Sequence, residues 1–197
     1  MTFKLGLTGS IGMGKSTTAQ MFVDEGCQVW DADAAVHRLY SEGGAAVPDI
    51  KRLFPDAIRN GAVDRAALRD VISKDAAALK MIERIVHPLV RQDRESFVED
   101  QDADVLVFDI PLLFETGSQN EFDAVACVSV SPEVQEKRVL DRGTMTRSQL
   151  HAIREQQMPN EEKCARSDFV ITTETLEDAR RQVQNILEHI RRQTSNA

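Results

Sequence analysis

Phe3-Lys4-Leu5-Gly6-Leu7-Thr8-Gly9-Ser10-Ile11-Gly12-Met13-Gly14-Lys15-Ser16 is the stretch that decides the fold. Phe3 to Thr8 reads as a short apolar strand, and the next eight residues fit G-x-x-x-x-G-K-[ST]. Glycines at those positions let the backbone curl until successive N–H groups point into one anion-sized hollow. Lys15 is placed to reach the β- and γ-phosphates of a nucleotide, and the Ser16 hydroxyl to ligate Mg²⁺. Ser16-Thr17-Thr18-Ala19-Gln20-Met21-Phe22 continues as an amphipathic helix whose positive end faces the same hollow. Strand, glycine loop and helix in that order predict a phosphate-binding loop, with Gly9, Ser10, Ile11, Gly12, Met13, Gly14, Lys15, Ser16 and Thr17 as its candidate nucleotide contacts.

Working outward, short apolar runs alternate with long amphipathic segments. Cys27-Gln28-Val29-Trp30, Val105-Leu106-Val107-Phe108, Ala124 to Val130 and Phe169-Val170-Ile171 are the other expected strands. Their nearly continuous apolar character suits strands covered on both faces. The expected class is α/β, with a five-stranded parallel sheet between helical layers. Helix ends are marked as well. Ser131-Pro132-Glu133 supplies an N-cap, a first-turn proline and an acid, and Thr146-Arg147-Ser148-Gln149 and Thr175-Leu176-Glu177-Asp178 read as capping boxes. Leu176, Ala179, Val183, Ile186, Leu187 and Ile190 recur at helical spacing and predict one core-facing side. Arg191-Arg192 complements the dipole at that helix's end.

The chain has 197 residues, 42% of them hydrophobic and 28% charged, which gives room for one domain with its own core. No apolar run approaches the roughly 18–20 residues of a membrane span, and the first residues do not begin a signal peptide. A cytoplasmic protein without membrane contact is expected. A formal charge of -8 argues against sequence-independent nucleic-acid binding, so an anionic ligand must find positive charge gathered locally. Cys27, Cys127 and Cys164 form an odd, widely spaced set that matches no zinc pattern, and buried free thiols are expected.

Two excursions leave the core. Residues 32–103 read as mostly helical, with turns at Glu42-Gly43-Gly44 and Asn60-Gly61, and residues 136–166 as short, arginine-bearing helices. No asparagine precedes lysine, so the guanine-reading Asn-Lys-x-Asp of GTPase switches is missing. A small-molecule kinase is the favoured class; a nucleotide-gated switch protein is the alternative. Such a kinase must orient an acceptor hydroxyl and take its proton. Asp31-Ala32-Asp33 closes the second strand at the ligand-binding edge of the sheet, where the two carboxylates serve as base and anchor or cap the next helix. Asp109 ends the third strand, as a Mg²⁺-shell residue or as a satisfied strand-end carboxylate. Arg138 and Arg142, four apart on one helical face, are placed to spread the charge of a transferring phosphoryl group. Arg147 and Arg154 read as solvated. Arg65 either meets an acceptor anion or pairs locally, and His87 is either structural or functional.

Gly6-Leu7-Thr8-Gly9-Ser10-Ile11-Gly12-Met13-Gly14-Lys15-Ser16, Asp31-Ala32-Asp33, Asp64-Arg65, His87-Pro88 and Pro111-Leu112-Leu113-Phe114-Glu115 together resemble dephospho-CoA kinases. Gln135 to Arg142, Gln156 and Asp168 extend the likeness over nearly the whole chain. The resemblance implies ATP-dependent phosphorylation of the ribose 3′-hydroxyl of dephospho-CoA, the last step of coenzyme A synthesis. The implied fold is a P-loop NTPase core like that of nucleoside monophosphate kinases (about 1–31, 104–135 and 167–197), with a helical CoA-binding region at about 32–103 and a lid at about 136–166. It implies Asp33 as base with Asp31 beside it, Lys15 on the transferred phosphate, and Arg138 and Arg142 on ATP. Thr8, Asp33, Arg65, His87 and Leu112 fall in or near the acceptor site; ATP and Mg²⁺, through Ser16 and Asp109, are the implied cofactors. A monomer or small homo-oligomer is expected. A kinase for another acceptor, such as a nucleoside monophosphate, is the alternative within the class. The chain departs from the pattern at Ser10, at Met13 and at Thr172-Thr173-Glu174-Thr175, where asparagine and glycine are usual.

Overall fold

A computed structural model describes residues 2–195. The chain divides into two compact units, one formed by residues up to Trp30 together with those from Asp102 onward, the other by Asp31–Gln101.

In the first unit a five-stranded parallel sheet runs in the order β2-β5-β1-β6-β7. The strands are β1 (Phe3–Thr8), β2 (Gln28–Asp31), β5 (Val105–Asp109), β6 (Ala124–Ser129) and β7 (Phe169–Thr172). Leu7 lies opposite Asp109 in β5 and Thr8 opposite Cys127 in β6. Alternation along the strands divides the side chains between two faces. Leu5, Leu7, Val105, Val107, Ala126, Val128 and Ile171 share a core with Met21 and Phe22 of α1 (Lys15–Asp24) and with α9 (Leu176–Ser195). On the other face Phe108 packs between Trp30 and Phe122, with ring centroids 6.2 and 5.2 Å away.

The helix-end signals act through local hydrogen bonds. Ser131 caps α6 (Pro132–Asp141) by accepting from Val134 N, and Thr146 and Gln149 form a reciprocal capping box on α7 (Arg147–Gln156). Thr175 accepts from Asp178 N, but its own hydroxyl turns to the Asp178 carboxylate, so this box is incomplete. Five of the six residues expected on the core face of α9 are buried, but Leu176 is 69% exposed. It is the first residue of the helix, where the face no longer meets the sheet, and it borders an open cleft.

The second unit has its own core. Leu39, Val47, Ile50, Val63, Leu68, Ile82 and Val86 cluster among α2 (Ala32–Tyr40), α3 (Val47–Leu53), α4 (Arg65–Lys74) and the long α5 (Ala76–Asp100). A two-stranded antiparallel ribbon, β3 (Ile58–Arg59) and β4 (Ala62–Val63), interrupts the helices. It turns at Asn60-Gly61, where φ is 50° and 78°, the left-handed pair a two-residue hairpin demands. The spacing predicts the turn but not the strands, because two residues on each side are too few to show alternation.

Candidate functional site: a phosphate loop beside an arginine-bearing helix

The loop between β1 and α1 is held from outside by three other elements. Thr173, just past β7, donates its hydroxyl to the Met13 carbonyl at 2.6 Å, and Gln135 of α6 donates Nε2 to the Ile11 carbonyl at 2.7 Å. Asn160, first residue of α8 (Asn160–Ala165), accepts from Ser10 N at 3.0 Å. With carbonyls taken from outside, the loop's remaining N–H groups are left for an anion. Gly14 caps α1 at φ 90° with no side-chain hydrogen bond, leaving the first-turn donors of that helix unclaimed. A Cβ on Gly14 would stand 2.9 Å from the Thr173 hydroxyl, so both backbone conformation and close approach require glycine. The Met13 side chain packs into the core, which accounts for a large residue there.

The register of β1 and β5 brings Asp109 next to the root of the loop, where its carboxylate forms an ion pair with the Lys15 ammonium. The two side chains are 4% and 15% exposed, so both charges sit in a largely dry place facing the loop. Ser16 is exposed on the first turn of α1. Hydroxyl and carboxylate are hard oxygen donors, the chemistry that suits Mg²⁺ with waters and phosphate oxygens completing its shell.

Beside the loop lies a cleft of about 180 Å³ lined by Gly14, Thr17, Arg138, Arg142, Thr173 and Leu176, among others. Arg138 is fixed there, donating to the Thr173 hydroxyl at 3.1 Å and its carbonyl at 2.6 Å. Arg142 is the C-cap residue of α6. The structure thus brings together the loop, Lys15, Asp109, Arg138 and Arg142. Arg147 pairs with Glu136 at 2.6 Å and is 68% exposed. Arg154, expected to be solvated, instead donates to Oε1 of the buried Gln135 and completes the chain of contacts that reaches Ile11.

Thr8 is buried and donates to the Pro111 carbonyl at 3.2 Å, while Leu112 in the following turn is exposed. That carbonyl also accepts from Lys163 of α8 at 3.0 Å; Lys163 is fully buried and pairs with Glu115 at 2.8 Å. In the second unit Asp31 is the N-cap of α2, accepting from Ala34 N at 2.8 Å, and Asp33 is exposed on the first turn. Asp64 caps α4; the N–H of Ala67, foremost, holds its carboxyl below the usual range. Arg65 stacks its guanidinium 5.8 Å from the Tyr40 ring, and His87 is exposed on α5.

Sequence reasoning missed Asn160 and Thr173 as loop supports, and Lys163 as an anchor of the turn after β5. It also missed that Cys127 and Cys164 meet, their sulfurs 3.3 Å apart. All three thiols are free.

The family model for dephospho-CoA kinase matches residues 3–178. The dephospho-CoA kinase of Ruegeria pomeroyi is 66% identical over 191 residues, 97% of each chain. A Thermus thermophilus crystal structure superposes with a TM-score of 0.84 at 34% identity, covering 95% of this chain and 97% of its own. Dephospho-CoA kinase from Campylobacter jejuni shares the fold, with a TM-score of 0.72 at 24% identity and coverage of 96% and 98%.

Proposed function

The chain belongs to the dephospho-CoA kinase family, and we infer from this that it transfers the γ-phosphoryl group of ATP to the ribose 3′-hydroxyl of dephospho-CoA, giving coenzyme A and ADP. The observation that carries the reading is the match over 97% of both chains, joined to a loop built to hold phosphates. Lys15 neutralises charge on the transferring group, and Arg138 and Arg142 spread it further from the cleft. Asp33 takes the hydroxyl proton as the new P–O bond forms and the β–γ bridging bond breaks, releasing ADP. Its neighbour Asp31 is occupied in capping α2, which supports Asp33 as the base. Ser16 and Asp109 would hold Mg²⁺, which would supply positive charge to the nucleotide's phosphates.

The second unit, with Arg65 and His87, receives the acceptor, and residues 136–166 act as the lid. Leu112 offers an apolar wall, and Thr8 acts by fixing Pro111 beneath it. The net charge of -8 supports a small-molecule acceptor over nucleic acid. No helix among the described residues is long and apolar enough to cross a membrane.

The test is phosphate transfer from ATP and Mg²⁺ to dephospho-CoA, AMP, CMP and adenosine, with products identified by mass. Transfer to dephospho-CoA with little elsewhere is expected. Clear transfer only to another acceptor would discard the substrate assignment, and acceptor-independent hydrolysis alone would discard the kinase reading. Asp33→Asn should lower kcat by orders of magnitude and leave ATP affinity nearly unchanged. A change confined to ATP affinity would make Asp33 a binding residue instead.

A further inference from the structure

Cys127 lies inside β6 and is wholly buried, whereas Cys164 on α8 is partly exposed. They are 37 residues apart in sequence, yet their sulfurs are 3.3 Å apart. A disulfide bond is about 2.0 Å long, so closing one needs a movement of roughly an ångström. Asn160 lies one turn before Cys164 on the same short helix. Its Nδ2 donates to the Val128 carbonyl at 3.2 Å and to Ser129 Oγ at 3.3 Å, and sits 3.6 Å from the Cys164 sulfur. Its Oδ1 holds Ser10 N, the second residue of the phosphate loop, at 3.0 Å. The sulfur pair and the loop therefore share one intermediary.

We propose that Cys127 and Cys164 form an oxidation site, a dithiol that a hydroperoxide converts to an intramolecular disulfide, and that closing it loosens the phosphate loop through Asn160. Cys164 reacts first, because solvent reaches it. Its sulfur attacks one peroxide oxygen, the O–O bond breaks, the thiol proton leaves with the departing oxygen, and a sulfenic acid remains. Cys127 sulfur then attacks Cys164 sulfur; the S–O bond breaks and the leaving hydroxide takes the Cys127 proton. With hydrogen peroxide the sum is two thiols oxidised by two electrons and one peroxide reduced to two waters. Burial, chiefly, pushes the Cys127 thiol far up, which keeps it from reacting ahead of Cys164. Drawing α8 towards β6 displaces Asn160 from Ser10 N, and the loop loses one of its three outside supports.

The consequence for ATP rests on the loop's proposed role in holding its phosphates. The full chain, fully reduced or treated with hydrogen peroxide, is alkylated and digested without reductant. Expected are a peptide linking Cys127 to Cys164, an intact mass lower by two hydrogens, and reversal of both by dithiothreitol. Calorimetry on the same samples should show ATP bound on the order of fivefold more weakly after oxidation, the loss of one hydrogen bond. Cys164→Ser should give no linked peptide and an ATP affinity indifferent to peroxide, while Cys27→Ala behaves as the parent. Free Cys127 beside an over-oxidised Cys164, or a link through Cys27, overturns the site. A linked peptide with unchanged ATP affinity overturns the coupling. Failure of the reduced protein to bind ATP would instead break the reading of the loop, and the peptide map would still judge the dithiol.

Discussion

Thr173 serves two neighbours with one hydroxyl, donating to the Met13 carbonyl at 2.6 Å and accepting from Arg138 at 3.1 Å. Thr173→Val keeps the shape and removes both bonds, leaving Arg138 its contact with the Thr173 carbonyl. KM for ATP should rise about fivefold with a smaller change in kcat, read by steady-state kinetics. Lys15→Ala acts differently, because it takes a cation from Asp109 and, on the proposed function, from the phosphates. Turnover should fall by orders of magnitude. Stability should fall too, by about 3 kcal/mol in urea melts, since Asp109 is left 4% exposed without its cation. Circular dichroism would show whether the fold persists. The place of Lys15 at the start of α1 was legible in the sequence because it belongs to one contiguous motif. Thr173 and Asn160 were not, and neither was the task of Gln135. Their partners are backbone atoms 160, 150 and 124 residues away, and a side chain that serves a distant peptide group leaves no pattern of residue types.

At the level of elements, legibility followed locality. The five strands of the parallel sheet and most helix caps were readable because each depends on a contiguous apolar run or on a bond within one turn. The exposure of Leu176 was not, because periodicity says which face a residue shares and not where the neighbouring sheet stops. Leu187→Ala in α9 should cost about 2–4 kcal/mol, whereas Leu176→Ala should change stability by less than about 0.5 kcal/mol, both measured by urea unfolding. Equal losses would mean that the start of α9 is covered in solution. Lys163 gives the sharper case. Its 0% exposed ammonium joins α8 to the turn after β5 through Glu115 and Pro111. Lys163→Ala leaves Glu115 without its cation and removes one of the two side-chain donors to the Pro111 carbonyl, so stability should fall by about 3–5 kcal/mol. If the turn bearing Leu112 walls the acceptor, KM for dephospho-CoA should rise more than KM for ATP in the same variant.

Across the whole molecule, each unit carries its own apolar core, and the first is built from two stretches of chain, residues up to Trp30 and those from Asp102 onward. The excursion was visible as a long helical interruption between strands, but its separate core became clear only from contacts among four helices. Closure of the first unit relies partly on charge. Arg191 of α9 pairs with Asp104, just before β5, at 2.6 Å. The hydrogen bond from Arg191 is the main cause holding the Asp104 carboxyl below its ordinary value of 3.8, and the same bond raises the arginine. A carboxyl depressed by folding stabilises above its unfolded pKa, and that contribution is lost as pH falls through the lowered folded value. The contribution is therefore present at neutral pH and disappears in acid. Both side chains are about half exposed, so solvent screening keeps it below about 1 kcal/mol. Asp104→Asn should be less stable than the parent at pH near 7, and the gap should close in urea melts carried well below pH 3.8. A gap that persists there would show that the carboxylate's charge is not what joins the last helix to the start of β5.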